Sequence, residues 1–326
     1  MRIERIERPI TSSQPTLFPF VPMRVGVISN PRSHRNRSGM RERPQGAADL
    51  LTRQPRNHAE LLADLNEMAR CGIDLLVIDG GDGTVRDVLT VAAEVFDHQM
   101  PALAVLASGK TNALALDLGV PITWSLQDVL DHAAAGRFTT RSPIEVYRAG
   151  SPVPESRGFL LGAGGFVRAT EAAQSTHRLG AFNGIAVGLS LAWAVAQTFF
   201  GGARNPWRVG ERMRIEHAGE VLSDRALYLL LTSTLERLPI GLKPFGPVRP
   251  EMKMLMVDAP PKWLPAAVPV LLSGAQPAWL RRFGYRTVDL DTFALSVDGG
   301  FILDGEHYAG GDIVVRRGAP LRMVAP

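Results

Sequence analysis

Residues 73–84 read IDLLVIDGGDGT, an apolar run that ends on an aspartate and passes at once into a glycine-rich loop. A short unbroken run of Ile, Leu and Val bounded by such a loop has the form of a strand buried on both faces, as in a parallel sheet. After the loop, Val85, Val88, Leu89 and Ala92 recur at helical spacing, so the loop opens a helix. An ordinary strand-to-helix turn needs one or two glycines. Gly80, Gly81 and Gly83 instead let the backbone approach an anion closely and turn its N–H groups inward, while Asp82 and Thr84 add polar side chains at the helix start. The loop therefore reads as a phosphate site.

Working outward, RVGVIS at 24–29 and the run at 101–106 are further strands, with helices over 59–70 and about 112–118, the latter ended by Gly119 and Pro121. Alternating strands and helices predict an α/β domain with a mostly parallel sheet. Ligands of such sheets collect at the carboxyl ends of the strands. Polar loops fall there: Asn30-Pro31-Arg32-Ser33, the loop 80–84, and Ser108-Gly109-Lys110-Thr111-Asn112. The last resembles the end of a P-loop, but the position of its first glycine is Ala104, inside a strand, where a P-loop cannot be wound. What remains is a glycine turn at a helix N-terminus, where N–H donors and dipole favour phosphate.

From about residue 140 strands become frequent and glycine and proline punctuate the chain, predicting a second, β-rich domain; only 166–200 reads as long helix. Asp298-Gly299 and Asp304-Gly305 carry hairpin-turn chemistry in the closing run, and the hairpin reading suits Asp298-Gly299. The expected organisation is an extension over 1–23, an α/β domain over 24–140 and a β-rich domain over 141–326, with the option that the final segment returns to the first domain. No internal repeat is present.

Composition narrows the function classes. The 326 residues, 45% hydrophobic and 21% charged, supply an ample core. The single Cys71 excludes a disulfide framework and a cysteine-rich zinc site and fits a reducing, cytoplasmic compartment; the scattered histidines offer no metal-ligand pair, so no metal site is assigned. The net charge is only +4, yet arginines crowd 32–56, a loop suited to phosphates, an anionic membrane or nucleic acid. Without interleaved aromatics or a reading motif, nucleic acid is the weakest of these. Residues 1–23 lack the apolar core of a secretory signal, and 181–200, broken by Asn183, Ser190 and Gln197, suits a buried or interfacial helix better than a membrane span. Apolar segments at 185–195 and 264–279 suit core or a lipid-facing surface, with Arg281, Arg282 and Arg286 placed to meet anionic lipid.

The order of these motifs resembles the diacylglycerol kinase catalytic-domain family, which includes bacterial lipid kinases and the sphingosine and ceramide kinases. The resemblance rests on NPRS at 30–33, GGDGT at 80–84, SGKTNALALDLGVP at 108–121 and DGE at 304–306, and spans roughly Arg24 to the C-terminus. It implies a nucleotide-binding α/β domain followed by a β-sandwich-like domain, with the active site between them. It implies ATP and Mg2+, with Asn30, Ser33, Gly80, Gly81, Asp82, Gly83, Thr84, Gly109, Lys110, Thr111 and Asn112 around the nucleotide. Asp304 is implied as the base for the acceptor hydroxyl, with Glu306 and Asp82 as further catalytic carboxylates. The implied substrate is a diacylglycerol-like or ceramide-like lipid met by peripheral contact with the inner face of the membrane, and a homodimer is left open. The chain departs from the family pattern at His34, at Lys110 where threonine is usual, at Leu116, and at Gly165-Phe166-Val167-Arg168, which carries no carboxylate. No aspartates for a structural magnesium match near Pro250-Glu251-Met252. An NAD kinase relative and a non-catalytic nucleotide-binding regulator are the alternatives.

Overall fold

The computed structural model describes residues 23–33, 49–170 and 206–326. The extension before residue 23, the arginines from 35 to 43, the apolar segment 181–200 and all but the first turns of the helix expected over 166–200 lie outside these. Among the described residues no helix is long and apolar enough to cross a membrane.

The first layer is a six-stranded sheet built from β1 (Arg24–Ser29), β2 (Asp49–Arg53), β3 (Leu75–Gly80), β4 (Ala102–Ala107) and β5 (Phe138–Arg141), completed by the last strand of the chain, β17 (Leu321–Val324). Its order is β2-β1-β3-β4-β17-β5; the first four are parallel, and β17 runs parallel to β4 and antiparallel to β5. Every residue of β3 is buried, as its unbroken apolar run requires of a central strand covered on both faces. The basic stretch 32–56, expected as loop, contains the strand β2 at Asp49–Arg53. With only five residues and an edge position, it carries too little alternation to register as a strand.

Helices α1 (His58–Cys71), α2 (Asp82–Phe96), α3 (Ala113–Leu118) and α4 (Leu126–Ala134) belong to this domain. The side chain of Asn57 accepts from the Glu60 N–H to start α1, and Gly72 ends it in the left-handed region at φ 63°. Leu61, Leu65 and Met68 form its buried stripe, and Val85, Val88, Leu89 and Ala92 that of α2. A capping box of Ser125 and Asp128 starts α4.

The second layer is an eleven-stranded antiparallel sheet. Its strands are β6 (Ile144–Arg148), β7 (Ser156–Gly158), β8 (Leu160–Gly164), β9 (Glu211–His217), β10 (Glu220–Ser233), β11 (Lys253–Asp258), β12 (Tyr285–Asp289), β13 (Thr292–Val297), β14 (Phe301–Leu303), β15 (Glu306–Tyr308) and β16 (Gly311–Arg317). The main path runs β15-β14-β8-β10-β9-β13-β16-β6-β7, with β11 and β12 branching from β10. The sheet curls until its two ends meet. Phe301 and Leu303 at one end share a core with Ile144 and Val146 at the other, and the Ser156 and Tyr308 hydroxyls hydrogen-bond across the seam at 2.8 Å. A helix, Leu264–Ser273, covers the outer face, burying Leu264 and Leu271 with Tyr228, Leu255 and Tyr285; this part of the segment expected over 264–279 is core.

The chain crosses between layers near residues 142 and 319, and the two crossings are hydrogen-bonded to each other, Gly318 N–H to the Pro143 carbonyl at 2.8 Å. Asp117 of α3, 1% exposed, adds a second tie. Its carboxylate accepts from the Arg237 N–H at 2.6 Å, ahead of the second sheet's β11, and from the Arg141 guanidinium.

Candidate active site

The loops at the ends of β1, β3 and β4 are joined by a side chain that lies outside the sequence motifs. Asp79, the last side chain of β3 before the glycines, accepts from the Ser29 hydroxyl at 3.1 Å and from the Ser108 hydroxyl. One carboxylate thus ties the carboxyl ends of neighbouring strands, and its signal in sequence was a polar residue closing each apolar run. Above it the loops interlock. Asn30 donates from Nδ2 to the Thr84 hydroxyl at 2.9 Å and accepts from the Arg32 N–H at 2.9 Å. A Cβ placed on Gly109 would lie 2.4 Å from the Cα of Gly81, so the two glycine loops touch backbone to backbone and neither position has room for a side chain.

Asp82 accepts from the Ala113 N–H at 2.6 Å, and its carboxylate caps α3 from the neighbouring loop. Burial pushes its carboxyl up while the amides of Ala113, Asn112 and Leu114 hold it down. Asn112, in the left-handed region at φ 53°, closes a tight turn by exchanging hydrogen bonds with Gly109 at 2.7 and 2.9 Å. Lys110 and Thr111 stand exposed between them. Ser33 is buried, and its N–H closes the first loop on the Asn30 carbonyl at 3.0 Å. A cavity of about 340 Å³ opens beside this group, lined by Asn30, Pro31, Arg32, Arg56, His58 and Thr84. It lies on the first-loop side of the site, away from Asp304. Arg56 belongs to the basic stretch that the sequence marks as suited to phosphates, whereas His58 carries no such signal; the fold of β2 and α1 brings both beside Asn30.

The second layer reaches this group through the seam of its sheet. Strand β7 packs on α2, with the Arg157 N–H donating to the Thr90 hydroxyl at 2.9 Å. Asp304 and Gly305, at φ 45° and 84°, form the tight turn joining β14 to β15, where Leu303 pairs with Glu306. Asp298-Gly299 makes no hairpin: β13 pairs with β9 and β16, β14 with β8 and β15, so the link between them crosses the sheet. The hairpin reading belonged to the other Asp-Gly pair, because local turn chemistry is the same in both and only strand pairing separates them.

Asp304 turns its carboxylate inward, where Oδ2 accepts from the Phe159 N–H and Oδ1 from the Leu160 N–H, each at 2.9 Å. Burial, and then the nearby charge of Asp82, push its carboxyl up to about 7, against those two amides and Arg86. Gly158 makes the arrangement possible: a Cβ there would fall 2.6 Å from the Asp304 Oδ2. Arg86 of α2 is almost buried, bonded to Asp87 at 2.8 Å and 3.6 Å from Glu306. Glu306 itself is exposed on the rim. Neither Gly158 nor Arg86 could be found by motif, since each matters only through what it faces across the seam. Among the described residues no group of three His, Cys, Asp or Glu side chains could hold a metal ion. The positions Glu251 and Gly165–Arg168 contribute no such group either.

Residues 24–146 match the model of the diacylglycerol kinase catalytic domain. Proteins named probable lipid kinase YegS, from Salmonella arizonae and Salmonella heidelberg, are 35% identical over 72 residues, 22% of this chain and 23% of theirs. A crystal structure described as a diacylglycerol kinase from Bacillus anthracis str. Sterne superposes with a TM-score of 0.62 at 16% identity, covering 93% of this chain and 97% of that one. At that identity the superposition speaks for the fold alone: a parallel-rich α/β sheet followed by a curled, antiparallel, β-sandwich-like sheet, the two-layer arrangement that the motifs implied. Residues 24–146 are thus similar to the diacylglycerol kinase catalytic domain, and the fold of the whole chain to that of the solved diacylglycerol kinase structure.

Proposed function

We propose that the protein is an ATP-dependent lipid kinase that transfers the γ-phosphoryl group to a hydroxyl of a diacylglycerol-like or ceramide-like lipid at a membrane surface. The observation that carries this reading is the Asp304 carboxylate, enclosed at the seam with its charge coupled to Asp82 and its pKa near 7, next to interlocked glycine loops. Phosphoryl transfer needs mainly positioning, charge neutralisation and one proton acceptor. Each is on hand. The nucleoside of ATP occupies the cavity beside Asn30 and Thr84, and its phosphates lie along 80–84 and 109–112, where backbone N–H groups and Lys110 neutralise them.

The lipid hydroxyl oxygen attacks the γ-phosphorus as the bond to the β–γ bridging oxygen breaks, releasing ADP. The hydroxyl proton passes to Asp304, which a pKa near 7 equips to accept it at neutral pH. Arg86, close enough to depress the Asp304 pKa, adds positive charge beside the transferred group. Asp82 acts by position, holding the start of α3 against the second loop. Among the described residues no cluster of ligating side chains would hold Mg2+ by itself; arriving with the nucleotide, it would supply charge neutralisation to the phosphates.

Labelled ATP offered with diacylglycerol, ceramide, a sphingoid base or NAD, to wild type, Gly81→Asp and Asp304→Asn, tests the proposal. Label is expected in a lipid with wild type and lost in both variants. Label entering NAD would favour the NAD kinase alternative, and label entering no acceptor would leave a non-catalytic regulator; undiminished transfer by Asp304→Asn would remove the proposed base.

A further inference from the structure

The loop before the helix Leu264–Ser273 holds a tryptophan where neither backbone nor solvent favours one. Trp263 is 68% exposed, and its φ of 55° puts it in the left-handed region, costly for a residue with a bulky side chain. The Tyr285 hydroxyl donates to the neighbouring Lys262 carbonyl at 2.7 Å and fixes the loop in this posture. The indole joins an aromatic group at the surface: the Trp263 and Trp279 rings lie 6.3 and 6.0 Å from the Phe283 ring. Around the rings stand Lys262, Arg281 and Arg282, all exposed.

Those cations have no carboxylate neutralising them among the described residues. Asp258, at the end of β11, is taken by Arg286 at 2.8 Å and Arg225 at 3.6 Å. Arg286 is therefore tied into the fold, whereas Arg281 and Arg282 project from the short helix Ala278–Arg282 that carries Trp279. An exposed indole backed by aromatics and ringed by unneutralised cations matches the interface of an anionic bilayer. There the ring sits at headgroup level and each cation gains from the negative surface potential. A second copy of this chain is a poor occupant, because a two-fold contact would set Lys262, Arg281 and Arg282 of both copies against one another.

We infer that Trp263, with Phe283, Trp279, Lys262, Arg281 and Arg282, forms the surface by which the second domain docks on an anionic phospholipid membrane. The docking gives the lipid-kinase reading its route to substrate and rests on that reading for its purpose, but the binding is measurable without it. Sedimentation with phosphatidylcholine vesicles, and with vesicles containing phosphatidylglycerol, is run without nucleotide. Wild type is expected to prefer the anionic vesicles and to be released on raising salt from about 0.1 M to about 1 M. Arg281→Gln/Arg282→Gln should weaken partitioning about thirty-fold, near five-fold per charge. Trp263→Ala should weaken it about ten-fold, and Arg322→Gln, on β17, should leave it unchanged. The double arginine variant changes only exposed side chains, so it keeps the test valid if Trp263→Ala unfolds. Equal binding to neutral and anionic vesicles, variants that bind like wild type, or a Trp263→Ala defect confined to self-association would each overturn the assignment. A protein that binds vesicles in this way yet phosphorylates no lipid would leave the surface standing and remove only the proposed activity.

Discussion

If Asp304 is the proton acceptor, its environment writes a distinctive acid limb into the pH–rate profile. The carboxyl is moved from 3.8 to about 7, chiefly by burial and next by Asp82. At pH 6 only about one tenth of the enzyme would then carry the ionised base, so kcat/KM should fall close to tenfold per unit below neutrality. An unperturbed carboxylate would leave the rate flat to about pH 4.5. The neighbours supply opposite controls. Asp82→Asn removes a like charge and should move the limb to lower pH, while Arg86→Gln removes an opposing cation and should move it higher. Asp304→Asn should abolish the limb and reduce kcat by about 10²–10⁴-fold.

The same shift bears on stability. Because the folded pKa exceeds the unfolded one, folded protein binds more protons between about pH 4 and pH 7. Stability from this group is therefore complete at acid pH and is lost as pH rises through 7, by up to about 4 kcal/mol. The assay is initial-rate phosphorylation of mixed-micelle lipid at saturating ATP from pH 5.5 to 8.5, with denaturant unfolding over the same range. A rate flat across that window, or an acid limb that survives in Asp304→Asn, would refute the reasoning.

Gly158→Ala should drive a methyl group onto Asp304 Oδ2, which lies 2.6 Å from the ideal Cβ, costing about 1–3 kcal/mol of stability by denaturant unfolding and depressing kcat more than KM. Lys110→Ala is expected to raise the KM for ATP about tenfold with little change in kcat, the loss of one charge-assisted phosphate contact; an unchanged KM would remove Lys110 from the nucleotide. Asp117→Ala should cost about 3–5 kcal/mol, since it strips a buried carboxylate from the Arg237 N–H and leaves the Arg141 guanidinium with Glu236, at 3.2 Å, as its remaining carboxylate partner; unfolding that stays within 1 kcal/mol of wild type, about the value of an exposed pair, would show the tie to be weak.

What the sequence determined by itself was whatever is settled within a few residues of chain. The apolar run before GGDGT reads as a buried strand, which β3 is, and its glycines give the loop the backbone freedom that an anion site needs. The same locality explains the rejection of a P-loop at 104–111: Ala104 is the third residue of β4. A short edge element stayed hidden. β2 is five residues long and lies at the edge of its sheet, so it carries too little periodicity to stand out from its flanks.

What only the tertiary structure decided was everything that depends on what lies opposite. Two Asp-Gly pairs stand six residues apart with identical local chemistry, yet one joins paired strands and turns its carboxylate onto the amides of Phe159 and Leu160, while the other links strands that never meet. Asp79 became the tie between strand ends, Gly158 the space that Asp304 needs, and Arg86 its neighbouring cation by the same route. Hydrogen bonds, burial and charge coupling act over a few ångströms of space, and in a sheet that curls until its ends meet, residues nearest in space are far apart in the chain. A pKa near 7 for one carboxylate among many is the sum of such neighbours, so no local stretch of sequence contains it.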